Sequence, residues 1–556
     1  MTRQRIYQST YPAPYCPTNL SISQYLTQYN PDAVSKDKII LEDNWTGHDL
    51  TYASLREQAA RHAWSLSRKY NLGVGDVVAI SAPNSVAHVQ LIHAVLWTCA
   101  TVAPMNFLST TDDFIHFLNV CEPKLVAIDP SLHESIKKAL AQLSSSRPIS
   151  VLSILGSDSC VPNVRRLLPN HICRCSLCVL PIFDLSTSDN REQTAAICFS
   201  SGTSGKPKGV ELSHHNLISS LAGIRSSDPA FYNSQGRCVF FAPLCHIYGL
   251  NTVGLMGIWL GSYTMLMKKY SLDNLLRLSS RCRANILQIV PPITLALTKV
   301  PTLDIYNLSE IRYIMCSGAA LQPEVIQILQ KRFNQAPIFQ GYGMTETNIA
   351  TLRSHEWNRT GSVGRLFANV EARLVDDHGD DVDEGQDGEM LVRGPTVFRC
   401  VRSLNDPAAT RQGFHNGWMR TGDVLHFDPD GFLYLTDRKK ELIKYKGFQV
   451  APSELEGILN THPLVDDGVV CAKWDEQEGN EAPMAYVTLT SLALKHPRKQ
   501  VEVINNIAQF VNGNVSSYKK LRCGIKVLPE ILKTASGKIL RRLLPARLVA
   551  ARPANL

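Results

Sequence analysis

A short segment rich in glycine, hydroxyl residues and lysine carries the strongest chemical signal in this sequence. Residues 199–216 read FSSGTSGKPKGVELSHHN. Small residues let backbone N–H groups approach a polyphosphate, hydroxyl groups donate further hydrogen bonds, and two lysines add positive charge. The segment is not a Walker A loop, because Ser200 stands where that motif has glycine and Pro207 stands where it has serine or threonine.

We interpret this segment as a phosphate-binding loop at the end of a strand rather than as a flexible surface turn. Its candidate phosphate-binding residues are Ser200, Ser201, Gly202, Thr203, Ser204, Gly205, Lys206, Lys208 and Gly209.

The elements around this loop alternate between strands and helices. The run AAICFS predicts a buried strand before the loop, KGVEL predicts a strand after it, and SHHNLISSLAGI predicts a helix with Ser213 as its N-cap. Other strand candidates are VVAISAP, TVAPMN, KLVAIDP, RCVFFAPL, SYTMLM, NILQIV, EIRYIMCS and APIFQ, with helices such as DNLLRLSSRCR and PEVIQILQKRF between them. This alternation indicates an α/β architecture with largely parallel strand pairing.

The pattern changes in the last third of the chain. The run VEARLVDDHGDDVDEGQDGEMLVRG predicts a strand, an acidic loop and a returning strand, and its acids do not follow the spacing of an EF-hand. After Asp437-Arg438 the pattern is that of a separate, small α+β unit. Within it, SELEGILNTH predicts a helix opened by a capping box from Ser453 to Glu456, and RKQVEVINNIAQFV predicts an amphipathic helix. VVCAKW and MAYVTLT predict strands.

Length and composition exclude several classes of protein. A chain of 556 residues is too long for one hydrophobic core. Its 44% hydrophobic and 19% charged residues exclude a largely disordered protein. The net charge of +8 is spread thinly, without a basic tract interleaved with aromatic residues, so we expect no nucleic-acid partner. The charge suits anionic small molecules.

The fifteen cysteines are scattered and odd in number, and the first residues lack the apolar run of a secretory signal. Reduced thiols in a cytosolic or organellar compartment are the better interpretation. The cluster of His171, Cys173, Cys175 and Cys178 matches no strong zinc spacing, so we expect no metal there.

One uncharged segment, residues 249–267, approaches the length of a membrane span. Gly261-Ser262 divides it, and Asn251 and Tyr263 add polar groups. We therefore expect a buried helix followed by a buried strand, and no membrane span.

Seven motifs along the chain resemble those of one family. After the loop at 199–216 come PLCHIYGL (243–250), SGAA (317–320), QGYGMTET (340–347), TGD (421–423), DRKKELIKYKGFQVAPSELE (437–456) and TASGKILRR (534–542). In this order they resemble the adenylate-forming superfamily, most closely the 4-coumarate–CoA ligase-like branch of the acyl-CoA synthetases. The resemblance covers nearly the whole chain.

The resemblance implies an ATP-dependent acid–thiol ligase that uses Mg²⁺. Such an enzyme converts a carboxylic acid into an acyl-AMP and then transfers the acyl group to coenzyme A. Lys538 matches the lysine that bridges the carboxylate and the α-phosphate, where a cation stabilises developing negative charge. Thr345 matches the residue that contacts the α-phosphate, and Glu346 matches the ligand of Mg²⁺.

The resemblance also implies two domains: residues 1–436 with the nucleotide and acid sites, and a mobile C-terminal domain of residues 437–556 that turns about Asp437. The larger domain would consist of αβ-layered subdomains and a small β-rich subdomain. Tyr342 would stack on adenine, and Asp423 with Arg438 would bind the ribose. The remaining implied nucleotide ligands are Gln340, Gly341, Gly343, Lys444 and Gln449, and the implied thioester-forming residues are Lys446 and Gly447.

By the same resemblance, His246 lies at the mouth of the acyl pocket, with either a positioning or an acid–base role. The pocket residues would be Ile247, Tyr248, Ser317, Gly318, Ala319, Gly341, Asn348 and Ile349. None is charged, so a second charge on the acid would be buried unpaired. Asn348 offers hydrogen bonds to a hydroxyl or carbonyl group. We expect an apolar medium-chain, aryl or polyketide-like monocarboxylate.

Two departures from the branch argue against a hydroxycinnamate. Thr347, Asn348 and Ile349 stand where coumarate ligases have a small residue followed by Gly-Pro, and Leu321 replaces a usual proline. Two other functions stay open. The acyl group could pass to the phosphopantetheine of a separate carrier protein. Alternatively, the chain could be an inactive nucleotide-binding regulator, but the presence of every charged motif residue argues against that. The C-terminal residues Ala554-Asn555-Leu556 are a degenerate relative of the peroxisomal S-K-L signal, which leaves peroxisome and cytoplasm equally open.

Overall fold

A computed structural model describes most of the chain. The described residues are 4–143, 148–154, 165–166, 178–200, 207–300, 303, 305–317, 321, 323–347, 351–352, 359–398, 400–402, 410–411, 413–446, 448–476, 478–494, 500–533 and 538–550. Several residues discussed above lie outside these ranges, namely 171, 173, 175, 201–206, 318–319, 348–349, 447 and 554–556.

The first part of the chain alternates short strands with helices. Its elements are β1 (Tyr7–Gln8), α1 (Ile22–Gln28), β2 (Ile39–Asp43), β3 (Asp49–Thr51), α2 (Tyr52–Tyr70), β4 (Val77–Ser81), α3 (Val86–Trp97), β5 (Thr101–Pro104), α4 (Thr111–Cys121), β6 (Leu125–Ile128), α5 (His133–Leu140), β7 (Ser150–Ser153), β8 (Arg165–Arg166) and β9 (Thr194–Ser200).

The middle part continues the alternation. Its elements are β10 (Lys208–Ser213), α6 (His214–Ser227), β11 (Arg237–Phe240), α7 (Ile247–Gly249), a π-helix (Leu250–Gly257), α8 (Ile258–Leu260), β12 (Tyr263–Leu266), α9 (Leu272–Arg281), β13 (Ile286–Ile289), α10 (Pro291–Lys299), β14 (Tyr313–Ser317), α11 (Pro323–Arg332), β15 (Ile338–Gly341) and β16 (Thr351–Leu352).

The last part is richer in strands. Its elements are β17 (Arg365–Leu366), β18 (Glu371–Val375), β19 (Gly388–Arg393), β20 (Cys400–Arg402), β21 (Phe414–His415), β22 (Trp418–Phe427), β23 (Leu433–Arg438), β24 (Ile443–Tyr445), β25 (Phe448–Val450), α12 (Pro452–Thr461), β26 (Val465–Asp475), β27 (Asn480–Leu489), α13 (Ser491–Leu494), α14 (Gln500–Gly513), β28 (Ile525–Val527) and α15 (Pro545–Ala550).

Parallel pairing dominates the sheets of the large N-terminal domain. An eight-stranded sheet has the order β20-β10-β9-β5-β4-β6-β7-β8, and only its β20-β10-β9 edge is antiparallel. A second sheet, β11-β12-β2-β3, and a third, β13-β14-β15, are parallel except for the β2–β3 pair. The predicted α/β architecture with largely parallel pairing is confirmed.

A six-stranded antiparallel sheet follows, and it contains the predicted acidic hairpin. Strands β18 and β19 pair directly, and β22 and β23 extend the sheet. The small C-terminal domain is built on the β26-β27-β28 sheet and on α12 and α14. The predicted sequence boundary at residue 436 falls inside β23, one strand before the C-terminal elements begin.

The predicted start of α6 is confirmed. The Ser213 hydroxyl accepts a hydrogen bond from the Asn216 N–H at 3.1 Å, and the Asn216 side chain accepts one from the Ser213 N–H at 2.9 Å. These two bonds satisfy backbone donors that would otherwise be orphaned at the helix start.

The uncharged segment at 249–267 also follows the prediction. It forms the π-helix and α8, and this helical part ends at Gly261, which has a φ of +67°. The segment then continues as β12. Within the described ranges, no helix combines the length and the apolar character needed to cross a bilayer.

The capping box predicted for α12 is wrong. The N-cap of α12 is Ala451, whose side chain makes no capping hydrogen bond. The Ser453 hydroxyl instead donates to the Thr436 carbonyl at 3.0 Å, and Glu456 binds Arg541 at 2.7 and 2.8 Å. Both side chains therefore bind residues far away in sequence instead of the helix start, and the contact between Glu456 and Arg541 is charge-assisted.

Among the buried histidines of the N-terminal domain are His62, His88, His93 and His214. Burial lowers the pKa of each to about 4, because an imidazolium loses its hydration there. Each of these side chains is therefore neutral in the folded protein near pH 7.

We predict that the domain loses stability as the pH falls from about 6.5 to about 4, because the unfolded chain binds protons at these histidines that the folded chain does not. His93→Gln can keep the hydrogen bond that His93 makes to the Gly254 carbonyl at 2.7 Å. This change should reduce the loss between pH 7 and pH 5 by about 2 kcal/mol, measured by urea unfolding. The exposed His48 supplies the control variant His48→Gln. An unchanged pH dependence in His93→Gln would refute the prediction.

Candidate active site

Two cavities meet at Lys538. The inner cavity, of about 170 Å³, extends from Lys538 into the N-terminal domain as far as Tyr232 and Gly236. The outer cavity, of about 280 Å³, lies between the N-terminal and C-terminal domains. The segment from Gly341 to Met344 and the Lys538 side chain line both. A molecule that extended from one cavity into the other along these shared residues would lie beside Lys538.

Parallel strands place the shared segment. Ser317, at the end of β14, lies opposite Gly341, at the end of β15. The carboxyl edge of a parallel sheet is where such folds bind ligands, because the loops that follow the strands converge there. Thr345, which follows β15, is buried in the wall of the inner cavity, and Glu346 next to it is half-buried.

Three side chains that line the outer cavity are joined by one hydrogen bond and one ion pair. The Tyr342 hydroxyl donates to Asp423 Oδ2 at 2.6 Å, and Arg438 Nε lies 3.6 Å from Asp423 Oδ1. Strands β22 and β23 pair Asp423 directly with Arg438. Burial raises the pKa of Asp423, and the charge of Arg438 partly offsets that shift. The group presents carboxylate oxygens beside an aromatic face.

Lys538 reaches this place from the C-terminal domain. Burial lowers the pKa of its ammonium group, and Arg438 lowers it further. Glu346, Asp423 and Glu441 act in the opposite direction, because their negative charges favour the protonated lysine. A cation is thus placed where the two cavities join.

His246 lies close to Lys538 and is neutral. Its Nδ1 accepts a hydrogen bond from the Tyr248 N–H at 3.2 Å, which caps α7. Burial lowers the pKa of His246 to about 4, with a smaller contribution from the charge of Lys538. Because the imidazole of His246 is neutral and its Nδ1 already accepts a hydrogen bond, a positioning role is favoured over an acid–base role.

The phosphate loop is described only at its two ends. Strands β9 and β10, which were predicted on either side of the loop, pair Ser200 with Lys208 and Phe199 with Gly209, so the two ends of the loop lie side by side. The Pro207 carbonyl accepts a hydrogen bond from the His116 ring at 2.6 Å. The residues between them, Ser201, Gly202, Thr203, Ser204, Gly205 and Lys206, lie outside the described residues.

The inner cavity contains some of the predicted acyl-pocket residues. Ile247, Tyr248, Ser317 and Gly341 line it. Gly318, Ala319, Asn348 and Ile349 lie outside the described residues, so their predicted roles stay predictions.

The sequence analysis missed much of the inner wall. Strand β13 and the residue after it alternate: Ile286, Gln288 and Val290 line the inner cavity, whereas Leu287 and Ile289 lie in the core. A strand that is buried on both sides has a continuous apolar sequence. In β13 this apolar sequence is interrupted only by Gln288. Its polar side chain was the one signal available. Other wall residues not predicted are Phe231, Tyr232, Cys238, Asn251, Met256, Thr264 and Met315.

Three described residues of the C-terminal domain that were predicted as site residues, Lys444, Lys446 and Gln449, do not line either cavity. Lys444 and Gln449 pair across β24 and β25 and are exposed. Lys446 Nζ lies 3.2 Å from Glu478, and Gly447 lies outside the described residues. Asp437, in contrast, lines the outer cavity.

The carboxylate of Asp437 joins the two domains. Its Oδ1 accepts from the Arg438 N–H at 2.7 Å, and its Oδ2 accepts from the Ser453 N–H at 3.0 Å. Because Ser453 lies in the first turn of α12, this carboxylate satisfies an orphan donor of that helix from a distant strand. The observed arrangement joins Lys538 to the site and leaves Lys446 outside it.

Comparisons with known proteins agree with this architecture. The model of the family described as AMP-binding enzyme matches residues 30–401, and the model of the AMP-binding enzyme C-terminal domain matches residues 454–538. 4-Coumarate–CoA ligase 1 of Arabidopsis thaliana is 32% identical over 554 residues, which cover 98% of this chain and 95% of the relative. 4-Coumarate–CoA ligase CCL1 of Humulus lupulus is 31% identical over 554 residues, with coverages of 98% and 97%.

Solved structures share the fold. ATP-bound MatB from Rhodopseudomonas palustris has a TM-score of 0.81 at 24% identity, and the match covers 94% of this chain and 97% of that protein. The anthranilate CoA ligase AuaEII in complex with anthranoyl-AMP has a TM-score of 0.81 at 22% identity, with coverages of 96% and 99%. At these identities the likeness shows the fold.

We predict that Lys538→Met raises the pKa of His246, because the positive charge of Lys538 lowers it in the wild type. Histidine-selective NMR titration of the full chain measures this shift. Lys440→Met removes an exposed lysine of the same domain and serves as the control. If His246 titrates identically in Lys538→Met and the wild type, the two side chains are not neighbours in solution.

Proposed function

Because this chain belongs to the AMP-binding enzyme family and is an AMP-forming acid–thiol ligase of the acyl-CoA synthetase type, we propose that its substrate is a monocarboxylate with an otherwise uncharged aryl or medium-chain body. The observation that carries this proposal is the inner cavity, which ends at Lys538 and contacts the outer cavity there.

The charge of the inner wall supports an uncharged acyl body. Among the described residues that line the inner cavity, Lys538 is the one Lys, Arg, Asp or Glu, and the imidazole of His246 is neutral. The ammonium of Lys538 would pair with the carboxylate that reacts. A second charge deeper in the cavity would be desolvated without a partner, which costs several kcal/mol.

The size of the inner cavity sets the length of the acid. Its volume is about 170 Å³. An engineered apolar cavity of about 150 Å³ binds benzene, so this space accepts about one aromatic ring or a chain of about six to eight carbons. Acetate would leave most of it empty. Phe231, Tyr232 and Met256 supply apolar contacts along the wall.

The first half-reaction would take place at Lys538. A carboxylate oxygen attacks the α-phosphorus of ATP and forms the acyl–phosphate bond, while the bond to pyrophosphate breaks and pyrophosphate leaves. The carboxylate and the α-phosphate are both anionic, so a cation between them lowers the electrostatic barrier. Lys538 is the described cation at that junction.

The outer cavity would bind the nucleotide. Asp423 and Arg438 would hydrogen-bond the ribose hydroxyls, and the ring of Tyr342 would stack on adenine. The support is that Tyr342 and Arg438 both contact Asp423 in this cavity. Ser200, Lys208 and Gly209, at the ends of the loop, would approach the phosphates, together with Thr345. Glu346 would bind Mg²⁺ through its carboxylate together with the phosphates of ATP, and the ion would supply charge neutralisation there.

The second half-reaction would need a different position of the C-terminal domain. The sulfur of coenzyme A attacks the acyl carbon, its thiol proton leaves, and AMP departs with the bridging oxygen. Lys446 is exposed and bound to Glu478 in the present arrangement, so we propose that rotation about Asp437 brings it to the thiol. Lys444 and Gln449 would act in adenylation after a smaller adjustment of the β24–β25 hairpin.

A panel of acids tests the proposal. The panel contains acetate, malonate, octanoate, benzoate and 3-phenylpropanoate, each incubated with ATP, Mg²⁺ and coenzyme A and assayed for pyrophosphate and acyl-CoA. We expect the ring and medium-chain acids to exceed acetate and malonate in kcat/KM by about 100-fold or more, since several kcal/mol separate them. A preference for acetate or malonate would refute the assignment of the inner cavity.

We predict that Lys538→Ala lowers the rate of adenylation by about 100-fold or more, because a charge stabiliser of the transition state is lost. Thioester formation from supplied acyl-adenylate should retain most of its rate. Single-turnover assays of the two half-reactions measure both effects, and Lys440→Ala is the matched control on an exposed lysine. Equal losses in both half-reactions would mean that Lys538 has no dedicated role in adenylation.

A further inference from the structure

A line of polar side chains crosses the otherwise apolar inner wall. The Tyr248 hydroxyl donates to Gln288 Oε1 at 3.0 Å, and Gln288 Nε2 lies 3.6 Å from Cys238 Sγ. Cys238 Sγ in turn lies 3.7 Å from Thr264 Oγ1. All four side chains line the inner cavity, and we call them the polar stripe. They come from α7, β13, β11 and β12, so the stripe joins four separate elements.

Gln288 occupies an unusual position in the stripe. It lies between Ile286 and Val290 on the side of β13 that lines the cavity, and only 8% of its surface is exposed. A buried amide costs free energy unless its donors and acceptors are paired. An apolar residue of similar size would fill the same place without that cost.

The contacts of Gln288 with Tyr248 and Cys238 do not use the full hydrogen-bonding capacity of its side-chain amide. Nε2 carries two hydrogens, and its contact with Cys238 uses one, with sulfur as a weak acceptor. The Tyr248 oxygen donates its hydrogen to Gln288 and still has lone pairs to accept with. Burial raises the pKa of Tyr248, so its hydroxyl stays protonated and remains a donor.

A ligand hydroxyl complements this pair. It can accept from Gln288 Nε2 and donate to the Tyr248 oxygen at the same time. If the amide of Gln288 is turned over, the hydroxyl donates to Oε1 and accepts from Tyr248, so the match does not depend on the amide orientation. A methylene group satisfies neither partner, and a carbonyl group satisfies only one.

We infer that Gln288 determines acid specificity and that, together with Tyr248, it binds a hydroxyl group carried part of the way along the acyl body. The inference rests on the proposed function, because it takes the inner cavity as the acyl site. It narrows the substrate from an aryl or medium-chain monocarboxylate to a hydroxylated one. It also assigns this recognition to β13, whose side chains Ile286, Gln288 and Val290 line the inner cavity.

Matched acids test the inference. The first series is octanoate and its monohydroxylated isomers, with the hydroxyl at successive carbons, and the second is 3-phenylpropanoate and its ring-hydroxylated isomers. For each acid, kcat/KM for pyrophosphate release is measured with the wild type and with Gln288→Met. The ratio between two acids in one preparation cancels any difference in the fraction of folded enzyme.

We expect the wild type to prefer one hydroxylated isomer over its parent acid by about 10-fold or more, since unpaired buried polar groups penalise the parent. Gln288→Met should lower that ratio by about 10-fold, by slowing the hydroxylated acid and accelerating the parent. Ser262→Ala removes another hydroxyl from the inner cavity wall, outside the polar stripe, and should keep the wild-type ratio.

Three outcomes would overturn the inference. The first is that the wild type shows no preference for any hydroxylated isomer in either series. The second is that Gln288→Met slows all acids equally, which would mean that the polar stripe only supports the wall. Absence of pyrophosphate release with every acid would refute the proposed function itself and the inference with it, so the two failures are distinguishable.

Discussion

The burial of one ammonium group, that of Lys538, is the constraint on which the rest of the site depends. A cation removed from water loses several kcal/mol of hydration free energy unless negative groups surround it. Burial and Arg438 both lower the pKa of Lys538, and the negative charges of Glu346, Asp423 and Glu441 act against them. Burial is the largest of these effects. In the proposed function, a bound carboxylate and a bound phosphate would add negative charge beside the ammonium group, where the two cavities join.

Lys538 belongs to the C-terminal domain, so its position in the site depends on contacts that hold this domain against the N-terminal one. Lys299, at the end of α10, donates to the carbonyl of Asp466 at 2.8 Å. Asp437 caps the start of α12 through the Ser453 N–H. Arg541, three residues after Lys538, pairs with the buried Glu456 and with Glu441. Breaking a buried ion pair by removing one partner costs about 3–5 kcal/mol, so the Arg541 contacts strongly restrict the chain around Lys538.

The sequence predicted the elements but not the contacts between distant parts of the chain. Strands such as β9 and β13 were predicted because local alternation and turn residues mark them. The capping box at Ser453 and Glu456 was wrong because both side chains pair with Thr436 and Arg541, which lie far away in sequence. Motif resemblance predicted Lys538, Tyr342 and Asp423 as site residues. It could not show that the Tyr342 hydroxyl binds Asp423, since that contact spans 81 positions.

Gln288 illustrates the same limit. Its apolar neighbours led to the prediction of a buried strand for the run NILQIV. The fold then shows that one side of this strand lines the inner cavity. Which residues would contact the proposed acyl group therefore depends on which side of β13 lines the inner cavity. This is tertiary information that a periodicity of two residues does not contain.

The central claim is that an acid in the inner cavity attacks a nucleotide in the outer cavity at Lys538. Its most direct test is the fate of the acid's oxygen. The acid is labelled with ¹⁸O at both carboxylate oxygens, a turnover with ATP and coenzyme A is run, and the products are analysed by mass spectrometry. We predict one ¹⁸O atom in each AMP and none in pyrophosphate, because AMP leaves with the bridging oxygen of the acyl-AMP. Label in pyrophosphate or inorganic phosphate, or formation of ADP in place of AMP, would contradict this chemistry.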